Sequence, residues 1–229
     1  MSLVSRVKIC YDYLLRTLLE RGGSVRIANT VNDSIVDGPG LRFTIFTQGC
    51  PHHCPGCHNP ETWDFGCGTD VPVEDLVDVV RSNPLCRGVT FSGGEPFAQN
   101  EATVELLKAC KANGLSTVVE TCGYCNTDVL ISAIPYVDLF LWDIKDTNQM
   151  RHKEYTGVSN ELILQNLMVA NDMDSRIRLR CILVNGVNTH EAHYENIAEI
   201  AKSIKNLDGV DIIPYHAYGG SKAVLLGLE

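Results

Sequence analysis

Leu41-Arg42-Phe43-Thr44-Ile45-Phe46-Thr47 runs straight into Gln48-Gly49-Cys50-Pro51-His52-His53-Cys54-Pro55-Gly56-Cys57-His58-Asn59-Pro60. The first stretch is short, mostly apolar and bounded by Gly, which predicts a buried strand. The second sets three thiols at Cys-x3-Cys-x2-Cys spacing in a loop rich in Gly and Pro, able to bend until all three converge. A structural zinc site closes with four ligands, and clusters held wholly by protein also use four. Three cysteines therefore leave one iron of a cluster unligated, open to a small molecule that chelates through an amine and a carboxylate and accepts an electron directly. A zinc site completed by His52, His53 or His58 is the competing reading. Otherwise those histidines are expected to face solvent or to lie behind the ligands.

Outward from this loop, short apolar runs alternate with longer helical patterns. Strands are predicted at Leu41–Thr47, Gly88–Phe91, Ser116–Glu120, Val137–Trp142, Ile177–Val184 and Val210–Ile213. Helices are predicted around Val73–Arg81, Asn100–Ala112, Thr127–Ile134, Glu161–Asn171 and Glu191–Ile204, each with apolar residues three and four apart. Alternation of this kind means a parallel sheet with helices outside it, and the right-handed crossover rule curls six such units into an open, incomplete barrel. The fold class is thus α/β, a partial (βα)6 TIM-like barrel, with function at the C-terminal ends of the strands. Residues 3–21 carry Val4, Val7, Leu14, Leu15, Leu18 and Leu19 among charges and read as an amphipathic helix stopped by Gly22-Gly23.

Composition narrows the classes. The chain has 229 residues, 45% of them apolar, enough for one sizeable core. A net charge of −9 with scattered Lys and Arg offers no basic stripe, so nucleic acid is not an expected partner. No run approaches the length of a membrane span, and the first residues lack the order of a signal peptide. A soluble, cytoplasmic protein is expected, and its ten cysteines are then metal ligands or buried thiols rather than disulfides.

The other strand ends carry chemistry too. After the second strand comes Ser92-Gly93-Gly94-Glu95-Pro96, where the glycines permit close backbone approach and Glu95 offers an acceptor for an ammonium group; a plain strand-to-helix turn is the alternative. Glu120-Thr121 closes the third strand, followed by a Cys122/Cys125 pair that reads as packing. The fourth ends at Asp143-Ile144-Lys145, where a surface ion pair competes with a role in the site. In the fifth, Arg180 alternates with Leu179 and points either into the barrel or to the surface. The sixth ends at Pro214-Tyr215-His216, with thirteen residues after it.

Taken together, the cysteine loop, its flanks Asp37-Gly38-Pro39-Gly40-Leu41-Arg42 and Cys57-His58-Asn59-Pro60, and the strand-end segments resemble the radical S-adenosylmethionine superfamily, and within it the activating enzymes of glycyl radical enzymes, similar to the pyruvate formate-lyase activators. The resemblance runs from about Ile27 to His216. It implies an extension over residues 1–24 and a radical domain over 25–229. It implies one 4Fe-4S cluster on Cys50, Cys54 and Cys57, and no second cluster, since only Cys67 lies between the signature and the first helix. S-adenosylmethionine (SAM) is the implied cofactor, held by Gly93, Gly94, Glu95, Glu120, Thr121, Asp143, Lys145, Arg180 and His216, with a monovalent cation beside it. No side chain is assigned a catalytic role, because reductive cleavage to a 5′-deoxyadenosyl radical is the cofactors' chemistry. The implied partners are a glycyl radical enzyme, whose glycine gives up its α-hydrogen, and reduced flavodoxin or ferredoxin as electron donor.

Three departures bear on this. Gly56 stands where the superfamily often has a bulky or aromatic residue that packs on the adenine, so that packing must come from elsewhere, with His58 as one source. Glu120 replaces a shorter acid. The chain also continues for less beyond His216 than its likenesses, which carry a closing helix. The Pro55-Gly56-Cys57 form and Glu61-Thr62-Trp63 also look like the activators of anaerobic ribonucleotide reductase, and a small-molecule enzyme such as a 7-carboxy-7-deazaguanine synthase is a further alternative.

Overall fold

The computed structural model describes residues 23–86 and 88–227. The predicted N-terminal helix, and most of the extension over residues 1–24, lie outside the described residues. Six strands are parallel: β2 (Arg42–Thr47), β4 (Gly88–Gly93), β5 (Ser116–Thr121), β6 (Leu139–Asp143), β7 (Ile177–Leu183) and β8 (Leu207–Pro214). Between and after them run helices α1 (Val73–Ser82), α2 (Glu101–Ala112), α3 (Thr127–Ala133), α4 (Gln149–Thr156), α5 (Glu161–Asp172), α6 (Glu191–Ser203) and α7 (Tyr218–Leu225). With β1 (Ser24–Ser34) and β3 (Thr69–Pro72) the strand order is β3-β1-β2-β4-β5-β6-β7-β8, so the sheet stays open.

Two strands were not anticipated. β1 (Ser24–Ser34) pairs antiparallel with β2, and β3 (Thr69–Pro72) pairs antiparallel with β1, extending the parallel six into an eight-stranded sheet. Their residues, SVRIANTVNDS and TDVP, lack a clean alternation because both strands are largely exposed. Backbone pairing at the sheet's rim, not side-chain burial, sets their conformation. Two helices were also missed. α4 is built on caps: Asn148 Oδ1 accepts from Arg151 N at 3.0 Å, and Gly157 ends the helix at φ 88°. α7 is the closing helix that the sequence was expected to lack.

The period of two along each strand sorts the side chains. Phe43, Ile45, Val89, Phe91, Val119, Phe140, Trp142 and Leu179 point out to the helices and are nearly or wholly buried against Val77, Leu106, Leu107, Leu130 and Leu167. Each such burial contributes roughly 2 kcal/mol. The intervening residues face the barrel interior, where the apolar set shrinks to Val118, Leu139 and Leu141. Below the site the floor is polar and tied. Arg42, 2% exposed, donates to Thr90 Oγ1 (2.6 Å), Val89 O (2.7 Å), Pro39 O (3.2 Å) and both oxygens of Ser116 (3.1 Å). Asp37 Oδ2 accepts from Ser34 Oγ and Thr44 Oγ1 at 2.6 and 2.8 Å. The Asp-Gly-Pro-Gly-Leu-Arg segment thus plugs the barrel's lower end. No helix among the described residues is long and apolar enough to cross a membrane, and the nine cysteines described are all free.

Candidate active site

One cavity of about 270 Å³ opens at the C-terminal ends of the parallel strands. Cys50, Cys54 and Cys57 line it, together with Gly93, Gly94, Glu120, Thr121, Asp143, Lys145, Arg180 and His216. Every residue of the implied cluster and cofactor set is therefore gathered at one place, except Glu95.

The cysteine loop is held from several sides. Gln48 Nε2 donates to Glu61 O (3.0 Å) and Asp64 O (2.7 Å), Gly49 N to Thr62 O (2.7 Å) and His53 N to Thr156 O (3.2 Å). The end of β4 presses against it directly: Gly94 N donates to Thr47 O, and a Cβ on Gly94 would lie 2.2 Å from Gly49 O. Gly94 is required by that approach, which gives the tight strand-end turn its glycine whether or not a ligand lies beside it. Inside the loop Cys57 N donates to Cys54 O, and Asn59 N reaches Cys57 Sγ at 3.4 Å. Burial pushes the Cys50 thiol up to about 12 and the Cys54 thiol up to about 11. A metal that takes these sulfurs as thiolates must displace their protons.

The three histidines are engaged elsewhere. His52, 1% exposed, turns its Nε2 toward Cys122 Sγ at 3.8 Å and its ring toward Tyr124. His53 packs edge-on to Trp63 at 5.0 Å, and His58 stacks on His216 at 4.2 Å. Among the described residues no three His, Cys, Asp or Glu side chains converge on a single-ion site. A set of three thiols facing a cavity, with each imidazole already packed or hydrogen-bonded to another side chain, fits an iron-sulfur cluster better than a zinc ion.

Charged groups ring the rest of the cavity. Arg180 and Glu120 form an ion pair across the barrel interior, and Glu120 Oε2 also accepts from Ser92 Oγ at 2.7 Å. Burial pushes the Glu120 carboxyl up, against the pull of Arg180. Lys145 Nζ lies 3.0 Å from Asp143 Oδ2. Burial works against its charge, but Asp143 and the nearby thiols outweigh that and hold the ammonium well above its ordinary value. Asp143 Oδ1 is buried without a partner in the protein, an acceptor facing the cavity that suits a cation or a cofactor donor. Asn188, which sequence reasoning missed, fixes this corner: its Nδ2 donates to Lys145 O (2.7 Å) and Ile182 O (2.8 Å), and its Oδ1 accepts from Val184 N (2.7 Å). Nothing in its sequence neighbourhood signals that role.

Glu95 corrects the expectation of a side chain reaching an ammonium group. Its carboxylate is 1% exposed and turned into the protein, where it accepts from Phe97 N (3.1 Å), Thr121 Oγ1 (2.6 Å), Cys122 N (2.9 Å) and Cys122 Sγ (3.0 Å). Its work in this structure is to tie the end of β4 to the end of β5. Cys122 lines the cavity but spends its thiol on Glu95, which agrees with a packing role for that cysteine.

Gly56 is explained by Tyr215. Gly56 sits at φ 73°, and a Cβ there would be 2.5 Å from Tyr215 Cε2. The ring from the end of β8 occupies the space that a bulky residue on the loop would fill, and with His58 and His216 it makes an aromatic wall along the cavity.

A family model described as "4Fe-4S single cluster domain" matches residues 36–164. The choline trimethylamine-lyase activating enzyme of Oleidesulfovibrio alaskensis is 33% identical, over 89% of this chain and 87% of its own length. The pyruvate formate-lyase-activating enzyme of Listeria monocytogenes is 33% identical with the same coverage. Among solved structures, a domain of pyruvate-formate lyase-activating enzyme from Bacteroides vulgatus superposes with a TM-score of 0.53 at 27% identity, covering 62% of this chain and 96% of that one.

Proposed function

Because the chain belongs to the radical SAM enzymes that activate glycyl radical enzymes, we propose that the single cavity at its strand ends carries out the whole of that activation. The observation that supports this is the gathering of Cys50, Cys54 and Cys57 with the charged strand-end residues around one opening. Cys50, Cys54 and Cys57 would hold one 4Fe-4S cluster, and the strand-end residues would hold S-adenosylmethionine. When bound, the two would supply the one-electron chemistry needed to remove the α-hydrogen of a glycine.

The chain's own residues bind, orient and shield. The backbone of Gly93 and Gly94, which allows close approach, receives the amino group of the methionyl part. Lys145 and Arg180 face its carboxylate, Arg180 through its planar fork. Glu120, Thr121, Asp143 and His216 surround the remainder, with Asp143 Oδ1 free to hold a monovalent cation. The Arg42 and Asp37 plug closes the barrel's lower end and limits water at the base of the site, which a reactive radical requires.

The partner is a glycyl radical enzyme of the lyase kind named for the relatives, whose glycine-bearing loop enters where the open sheet leaves β8 as an edge. Reduced flavodoxin or ferredoxin is the donor, and the cytoplasm the compartment. The radical domain occupies residues 25–229, with 1–24 as an extension. Anaerobic incubation with reductant, S-adenosylmethionine and candidate lyases, followed by electron paramagnetic resonance, tests the reading. A glycine-centred doublet on one lyase is expected. Reconstituted protein that takes up no iron and sulfide, or takes them up and never releases 5′-deoxyadenosine, would overturn it.

A further inference from the structure

Beyond β8 the chain folds back over the second half of the cysteine loop and touches it at four consecutive places. Tyr215 abuts Gly56. His216 stacks on His58, and its carbonyl lies 3.0 Å from His58 Nε2. Gly219 packs on the backbone of Cys57, where an added Cβ would fall 2.1 Å from Cys57 O. Lys222, on α7, donates to His58 O (3.0 Å), Asn59 Oδ1 (3.3 Å) and Glu61 Oε1 (2.5 Å).

The last of these contacts reaches the sulfur. Asn59, whose side chain Lys222 holds, is the residue whose backbone N–H meets Cys57 Sγ at 3.4 Å. Hydrogen bonds to a ligating sulfur, and positive charge beside it, stabilise the more negative, reduced form of a cluster, and groups behind the ligands set how firmly metal is retained. Among the contacts above, Lys222 alone brings a fixed positive charge to this side of the loop. We propose that Lys222 is a positioning residue for the cluster: it locks the Asn59 amide on Cys57, raising the cluster's reduction potential and slowing iron loss from the Cys57 corner. This rests on the assignment of Cys50, Cys54 and Cys57 as cluster ligands.

The test uses the full chain, reconstituted anaerobically, as wild type and as Lys222→Met, Lys222→Arg and Gly219→Ala. Lys222→Met is expected to shift the midpoint potential to more negative values and to speed iron transfer to a chelator roughly fivefold, as loss of charge-assisted hydrogen bonds at a partly exposed site implies. Lys222→Arg keeps the cation and is expected to restore both readings. Gly219→Ala keeps the charge but forces α7 off Cys57, so iron loss accelerates there too. Wild-type potential and chelation rate in Lys222→Met would overturn the proposal, as would equal damage from Met and Arg, which would assign the effect to helix packing. If Lys222→Met fails to fold by circular dichroism, Asn59→Ala carries the test: it keeps the cation and removes the side chain that Lys222 holds, so a smaller negative shift and faster iron loss are expected, and wild-type values for both would overturn the proposal. Wild-type protein that binds no iron sinks the ligand assignment instead, whereas a loaded wild type that splits S-adenosylmethionine beside indifferent variants sinks only the role of Lys222.

Discussion

The thiol of Cys122 donates to Glu95 Oε2 across 3.0 Å, so two groups that the sequence sets 27 residues apart are committed to each other beneath the cavity. That bond divides the cysteines at the site by role. On the ligand set proposed above, Cys54→Ala is expected to abolish 5′-deoxyadenosine formation and most of the iron content. Cys122→Ala removes one weak thiol hydrogen bond to the Glu95 carboxylate, whose other three donors remain, and a small apolar volume, a cost of about 1–2 kcal/mol. Iron content and cofactor cleavage should largely survive it. Equal loss in both variants, read by iron and sulfide analysis with product chromatography, would end this division.

Glu95→Ala should act on folding before chemistry. It strips the acceptor from Phe97 N, Cys122 N and the Thr121 hydroxyl, all buried, and leaving such donors unpaired costs roughly 2–4 kcal/mol in sum. Urea unfolding of the apoprotein measures that loss. Glu95→Gln, isosteric and able to keep part of the set, should lose about half as much. Apoprotein stability unchanged in Glu95→Ala would return the carboxylate to the cofactor.

Gly56 and Tyr215 should behave as a coupled pair. Gly56→Tyr places a side chain at φ 73° against the Tyr215 ring, and strain plus overpacking of about 2 kcal/mol predicts a drop of some thirtyfold in cofactor affinity. Tyr215→Ala alone should also weaken binding, by removing part of the aromatic wall. The double variant should bind better than Gly56→Tyr, since the new ring enters the space the old one left. Additive losses by equilibrium dialysis would mean the two positions do not share that space.

Apoprotein stability should fall on the acid side. Burial, with Lys145 and His152 adding to it, pushes the His52 imidazole down to about 3 from its ordinary 6.5. Between those values the unfolded chain takes up a proton here that the folded chain refuses. The stability present above pH 6.5 is therefore lost as pH falls toward 3, by at most about 1.4 kcal/mol per pH unit from this group. His152 and His193, whose imidazoles burial also lowers, act in the same direction. Denaturant midpoints between pH 7 and 5 should show the slope, and His52→Gln should flatten it; an identical slope in that variant would place the titration elsewhere.

The parallel core was legible because burial writes itself into periodicity. Phe43, Ile45, Phe91, Val119, Phe140 and Leu179 are apolar because they face helices, and their spacing located five helices and six strands to within a few residues. β1, β3 and α4 were not legible. They are held by sheet-edge pairing and by the Asn148 cap, which need no apolar stripe.

The site divides in the same way. Residue type and spacing alone marked Cys50, Cys54 and Cys57 as one set and pointed each strand end to one opening, which they do line, because loop spacing and the strand period are local properties of the chain. Only the tertiary structure decided that Glu95 turns inward, that Asn188 braces Lys145, that Tyr215 fills the space beside Gly56, and that Lys222 reaches over the loop to Asn59. Those choices depend on which long-range neighbour satisfies a buried donor or fills a gap, and residues 26 to 163 positions apart share no local pattern that could announce the match.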